Sequence, residues 1–301
     1  MSTPENTLGV YLLAKPTKFE QSLARQLGRV QKAVWKTFSS GERFVNVSAP
    51  AAKVIVIGRT HPPAENIWET LLLLDTLKRN GVADLTLVLP YFGYARQDRA
   101  FDLGDPVTAS ALSTLMAAAG AHRIVTVELH SPRVLETSPI PIFSVNPMPL
   151  LASSLADEYR GRGCVVVAPD KGSRVRAAVF AEALGVGIEV VSIEKVRNRH
   201  GKVTAKRLEG NISGDTAVIV DDMVDTGGTV IEAVRLLRKA GIKKMDLVAV
   251  HPIFSDGAIA KVKNCGFGRI LISDSYPAPA KLLAMKNVRV VSSLPLFAGP
   301  F

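Results

Sequence analysis

Val218–Val230 reads VIVDDMVDTGGTV. Apolar β-formers run into Asp221-Asp222, a short loop Asp225-Thr226-Gly227-Gly228-Thr229 follows, and a helical pattern then begins. A glycine pair lets backbone come close to a ligand, and a helix start offers unpaired N–H groups and the positive end of a dipole. Thr226 and Thr229 add hydroxyl donors. Together these groups suit a terminal phosphate dianion. Two carboxylates at the strand end suit sugar hydroxyls, directly or through Mg²⁺. The plainer alternative is a strand–turn–helix with an N-capping threonine. Three acids, two threonines and two glycines in nine residues favour the phosphate.

Outward from this stretch, short apolar runs alternate with amphipathic ones. Strands are predicted at Lys53–Gly58, Leu85–Pro90, Arg123–Leu129, Val165–Ala168, Ile188–Ile193, Thr216–Val220 and Lys244–Val250. Helices are predicted at Asn66–Arg79, Val107–Ala119, Arg174–Leu184 and Thr229–Ala240. Strand–helix alternation with fully apolar strands predicts an α/β fold of parallel sheets covered by helices. Ser138–Leu150 (SPIPIFSVNPMPL) carries four prolines and no helical period, and reads as a linker. It divides the chain into domains 1–147 and 148–301, with the last residues free to pack back on the first domain.

The 301 residues are 47% hydrophobic and 21% charged, enough for a large core and outside the disordered class. The formal charge of +10 fits an anionic partner. The basic residues are dispersed, only 6% of residues are aromatic, and no segment is spare for a DNA-reading helix, so nucleic acid is not the expected partner. Cys164 and Cys265 form neither a disulfide framework nor a zinc site, which predicts a reduced, cytoplasmic setting. The start lacks a signal-peptide pattern, and no apolar run approaches the ~20 residues of a membrane span.

Pro90–Arg99 (PYFGYARQDR) sets three aromatics beside Arg96, Gln97, Asp98 and Arg99. Basic residues on a loop after a strand can hold phosphates, and Gln or Asp can bond a base or ribose. An exposed charged loop over buried aromatics reads equally well from these residues alone. The string, however, closely resembles the ATP-binding loop of the ribose-phosphate diphosphokinases, and VIVDDMVDTGGTV resembles the phosphoribosyl diphosphate motif of the type I phosphoribosyltransferase superfamily. The resemblance runs from about Thr37 to Ile270-Ile272, and more weakly to the C-terminus.

The resemblance implies two similar phosphoribosyltransferase-like domains, each a mainly parallel sheet flanked by helices. Thr37–Glu42 (TFSSGE) resembles the family's adenine-contacting loop, which implies ATP contacts at Phe38, Ser40 and Glu42; Ser40 stands where the family usually has aspartate. Val127–Ser131 (VELHS) and Ala168–Ala177 (APDKGSRVRA) imply Mg²⁺-associated His130 and Asp170, and Ser173 replaces the family's second glycine. Asp221, Asp222, Asp225, Thr226, Gly227, Gly228 and Thr229 would hold ribose 5-phosphate. Ser192–Lys202 (SIEKVRNRHGK) resembles a flexible loop with a catalytic Lys-x-Arg pair, here Lys195 and Arg197; from the residues alone it is a solvated basic hairpin. Mobility is expected over Arg197–Lys202 without ligand.

The implied reaction is attack of the anomeric hydroxyl of ribose 5-phosphate on the β-phosphorus of ATP, in a homo-oligomer built from dimers into a tetramer or hexamer. Two readings compete with it. A phosphoribosyltransferase would have no need for PYFGYARQDR or a second domain. A non-catalytic regulatory homologue would be favoured by loss of Lys195, Arg197 or His130, and all three stand.

Overall fold

The computed structural model describes residues 8–159, 163–185, 189–197, 203–212, 214–255 and 257–299. The chain separates into two compact units, one of Met1–Val145 with Leu294–Phe301 and one of Asn146–Ser293.

The first unit begins with β1 (Gly9–Leu12), α1 (Lys18–Leu27), β2 (Arg29–Val30), β3 (Ala33–Thr37) and β4 (Arg43–Val47). It continues through β5 (Lys53–Ile57), α2 (Glu65–Arg79), β6 (Asp84–Leu89), α3 (Thr108–Ala119), β7 (Arg123–Val127), α4 (Arg133–Thr137) and β8 (Ile142–Val145). Among the described residues its main sheet has the order β2-β1-β5-β6-β7-β8, parallel throughout. β3 and β4 form a separate antiparallel hairpin. Val54, Val56, Leu85, Leu87, Leu89 and Ile124 are buried with the α2 residues Leu73, Leu74 and Leu77 in one core. Each such side chain contributes about 1.5–3 kcal/mol by leaving water. A capping box starts α1: Thr17 Oγ accepts from the Glu20 amide at 3.2 Å, and the Thr17 amide donates to the Glu20 carboxylate at 2.7 Å.

The second unit contains α5 (Met148–Ser153), α6 (Ala156–Tyr159), β9 (Val165–Ala168), α7 (Arg174–Leu184), β10 (Glu189–Arg197) and β11 (Val203–Glu209). Then come β12 (Thr216–Met223), α8 (Gly228–Lys239), β13 (Lys244–His251), α9 (Ala258–Asn264), β14 (Ile270–Ser273), α10 (Ala280–Leu283) and β15 (Val288–Val291). Its sheet order is β11-β10-β9-β12-β13-β14-β15, parallel except for the β10–β11 pair. β9, β12 and β13 are buried over nearly their whole length, as central parallel strands covered on both faces must be.

Two local expectations change. The proline-rich stretch is not a plain linker: it holds β8 and the start of α5. β8 is an edge strand, Pro141 lies before it, and Pro147 and Pro149 sit at the start of α5, so none removes a needed N–H. The basic stretch after the second predicted strand of the second half is likewise no loop at its beginning, because β10 runs on to Arg197 and pairs with β11. Among the described residues, no helix is long and apolar enough to cross a membrane.

Candidate active site

β12 carries Asp221 and Asp222 into the end of the sheet and leaves both buried, at 7% and 2% exposure. The Asp222 amide donates to Asp221 Oδ1 at 2.9 Å. Arg176, near the start of α7, places one guanidinium nitrogen 3.3 Å from Asp222 Oδ1 and 3.6 Å from Asp221 Oδ1. Burial pushes the Asp221 carboxyl well above its ordinary range; the neighbouring Asp222 and then Asp170 push the same way, against Arg176. A second negative charge is therefore costly at this buried pair, which suits it to sugar hydroxyls or a cation.

Beyond β12 the chain turns through Asp225 and Thr226 to Gly227, which has φ 76°. That left-handed conformation favours glycine and aims the first amides of α8 outward. No side chain caps α8 at Gly227, and Thr226 Oγ accepts from the Gly228 amide only at 3.5 Å. Thr226, Gly228 and Thr229 are exposed. The capping alternative is thus not realised, and an anion can approach the helix start. The loop is rooted by backbone: the Phe254 amide donates to Val224 O at 2.7 Å and the Ser255 amide to Asp225 O at 3.1 Å.

Asp170 lies on the loop between β9 and α7. Ser173 is buried, its amide donates to Asp170 Oδ1 at 2.9 Å, and its hydroxyl donates to Asp170 O at 2.9 Å. Its φ of −85° suits any residue, so the serine is absorbed into a turn that needs no glycine. Lys195 and Arg197 stand near the end of β10, opposite Lys206 and Val203, with a register shift between Val196 and Arg197. The expected mobile segment, beyond Arg197, lies outside the described residues.

In the first unit, Arg96, Gln97, Asp98 and Arg99 follow β6 at the strand-end side of the sheet. Arg96, Gln97 and Arg99 are exposed, whereas Tyr91, Phe92 and Gly93 are buried beneath them. The Arg99 guanidinium stacks 4.7 Å from the Phe101 ring centroid, and Thr108 donates a hydrogen bond to the Gln97 side chain. His130 is exposed just past β7. Phe38, Ser40 and Glu42 form the tip of the β3–β4 hairpin: Phe38 meets Phe44 edge to face, and Ser40 Oγ donates to Glu42 Oε2 at 2.8 Å.

Three residues that sequence reasoning passed over support these loops. Arg176 lies inside the quoted APDKGSRVRA stretch, but nothing in one dimension pairs it with residues 45 positions on. Thr60, after β5, accepts from the Gly93 amide at 2.7 Å and so ties down the PYFGYARQDR loop. A Cβ on Gly93 would collide with the Thr60 backbone, which makes that glycine the one available signal. Arg43 bonds Thr37 and pairs with Glu69 of α2, which fixes the base of the hairpin.

Comparisons with known proteins agree with this layout. A model of the N-terminal domain of ribose phosphate pyrophosphokinase matches residues 10–120, and a phosphoribosyl transferase domain model matches residues 149–265. The ribose-phosphate pyrophosphokinase of Caldanaerobacter subterraneus subsp. tengcongensis is 35% identical over 99% of this chain and 95% of its own. That of Xylella fastidiosa is 34% identical over 92% of this chain and 88% of its own. The crystal structure of phosphoribosylpyrophosphate synthetase from Mycobacterium smegmatis matches with a TM-score of 0.84 at 29% identity, over 97% of both chains.

Proposed function

The chain belongs to the ribose-phosphate pyrophosphokinase family, and on that premise we propose how its own residues carry the reaction ATP + ribose 5-phosphate → AMP + 5-phospho-α-D-ribose 1-diphosphate. The observation that carries the assignment is the buried Asp221-Asp222 pair running into an uncapped helix start, on a chain that also bears the PYFGYARQDR loop.

Residues 148–301 hold the sugar phosphate. Asp225, Thr226, Gly227, Gly228 and Thr229 take the 5-phosphate on the amides and dipole of α8. Asp221 and Asp222 orient the ribose hydroxyls. Residues 1–147 hold the nucleotide: Arg96, Gln97, Asp98 and Arg99 bind ATP, and Phe38, Ser40 and Glu42 supply adenine contacts to the site of a neighbouring subunit. The anomeric oxygen attacks the β-phosphorus in line, the bond from that phosphorus to the α,β-bridging oxygen breaks, AMP departs with the bridging oxygen, and the hydroxyl proton passes to solvent. Such transfer depends on positioning and on neutralising charge. Lys195 and Arg197 neutralise the β,γ-phosphates as charge builds.

The donor set fits Mg²⁺. Asp170 and Asp221 are close enough to interact, and their carboxylate oxygens are hard donors. Among the described residues no group of three His, Cys, Asp or Glu side chains could hold a metal ion. Asp170 would hold Mg²⁺ in the second unit and His130 would help seat the metal–nucleotide. When bound, the ion supplies charge neutralisation at the phosphates. Two buried free thiols, Cys164 and Cys265, fit a reducing cytoplasm.

The test is an end-point assay with ribose 5-phosphate, ATP and Mg²⁺, followed by ³¹P NMR. AMP and phosphoribosyl diphosphate form in equal amounts, and Lys195→Ala slows their formation by about 10²–10³-fold. Binding of ribose 5-phosphate without AMP release would instead favour a regulatory homologue.

A further inference from the structure

His251, at the end of β13, is fully buried, and the reaction scheme above gives it no part. Its Nδ1 lies 2.8 Å from Ser275 Oγ. Ser275 Oγ is 2.6 Å from Ser273 Oγ, and Ser273 Oγ donates to Val250 O at 2.8 Å. Counting protons orients the chain. The one hydroxyl proton of Ser273 is spent on Val250 O. Ser275 therefore donates to Ser273, the alternative bond to Val250 O being a long 3.5 Å. Ser275 Oγ is left to accept, so the proton between it and the ring belongs to Nδ1 of His251. The relay runs His251 Nδ1–H to Ser275 to Ser273 to the Val250 carbonyl and clamps the ends of β13 and β14 together.

The same residue touches the root of the phosphate loop through its backbone. Its carbonyl accepts from the Val224 amide at 3.3 Å and the Ile253 amide at 3.0 Å. The chain leaving it returns through Phe254, held at φ 45°, to donate to Val224 O and, from Ser255, to Asp225 O. Val224-Asp225 is thus held by a segment whose starting point is the locked imidazole. A left-handed phenylalanine persists only where its surroundings over-determine it.

We propose that His251 is a positioning residue for ribose 5-phosphate binding: its ring, fixed by Ser275 and Ser273, sets the register of residues 251–255 against Val224-Asp225 and so the place of the phosphate loop. The inference rests on the reading of that loop as the ribose 5-phosphate site.

The test compares wild type, His251→Ala, His251→Asn and Ser275→Ala, with kcat and KM measured separately for ribose 5-phosphate and ATP. His251→Ala is expected to raise KM for ribose 5-phosphate by about ten-fold, the worth of one buried hydrogen bond, and to leave KM for ATP within about two-fold. His251→Asn, whose side-chain amide can donate where Nδ1 did, recovers most of the loss. Ser275→Ala reproduces it, and the double variant is no worse than the worse single one. Amide exchange of the peptide spanning residues 224–229, in protein without ligand, speeds up in His251→Ala. The proposal is overturned if that exchange is unchanged, or if both KM values move together. If His251→Ala does not fold, Ser275→Ala decides by the same two readouts. A wild type that makes no AMP would sink the reading of the site, and the exchange result would still judge the clamp.

Discussion

At the residue scale, Asp221 carries a carboxyl that folding buries at a cost. Its carboxyl is raised by burial first and by Asp222 next. A carboxyl that binds its proton more tightly when folded lowers stability as pH rises from its ordinary 3.8 through the raised folded value, and the whole cost persists above that. Asp221→Asn is therefore expected to raise Tm at neutral pH without ligand or metal, and to give no gain below pH 3.8, where the carboxyl is protonated in both states. Each kcal/mol relieved is worth about 2–4 °C in a unit of this size. The same variant should lose ribose 5-phosphate turnover. A melting scan against pH checks it, and equal Tm at pH 7 would show that Arg176 already offsets the burial. Such stored cost at a site is what function retains against stability.

At the element scale, the β3–β4 hairpin is a rigid arm rather than a loose loop. Arg43 ties Thr37 to Glu69 of α2 and lies 5.8 Å from the Trp35 ring centroid, while Phe38 at the tip is 52% exposed. A half-exposed aromatic on a braced hairpin adds little to the fold and much to a ring it can stack upon. Phe38→Ala should raise KM for ATP in line with a loss of about 1–3 kcal/mol of stacking, with Tm unchanged. An unaltered KM would remove the hairpin from the nucleotide site. β10 and β11 teach a related lesson. The strand signal at Ile188–Ile193 was legible as an apolar run, whereas its continuation through Glu194–Arg197 is charged at three of four positions and has only Val196 apolar. The ladder with β11 supplies what periodicity does not, because backbone hydrogen bonds hold a strand irrespective of side chain.

At the scale of the whole molecule, Asp221–Thr229 and Arg96–Arg99 lie at or just past the ends of β12 and β6 in largely parallel sheets, where open α/β sheets bind ligands. The hairpin contacts proposed for a neighbouring subunit require assembly. Light scattering should therefore return a multiple of the single-chain mass, a tetramer or hexamer built from dimers, and dilution to a monomer should abolish activity. A monomer of full activity would refute the shared site.

The sequence by itself determined the fold class and the central strands, and it singled out the two candidate ligand loops. Buried parallel strands must be apolar throughout, and a phosphate loop needs glycine, hydroxyls and acids in consecutive positions, so both leave a local record, as at Val218–Val230. Only the tertiary structure decided that Ser138–Leu150 holds an edge strand, that Ser173 needs no glycine's freedom, that Arg176 answers Asp221 and Asp222, and that His251 is locked through Ser275. Each of these depends on which groups meet after the chain has packed. A single charge or hydroxyl has no period along the sequence, and its worth is set by the partner and the burial that folding gives it.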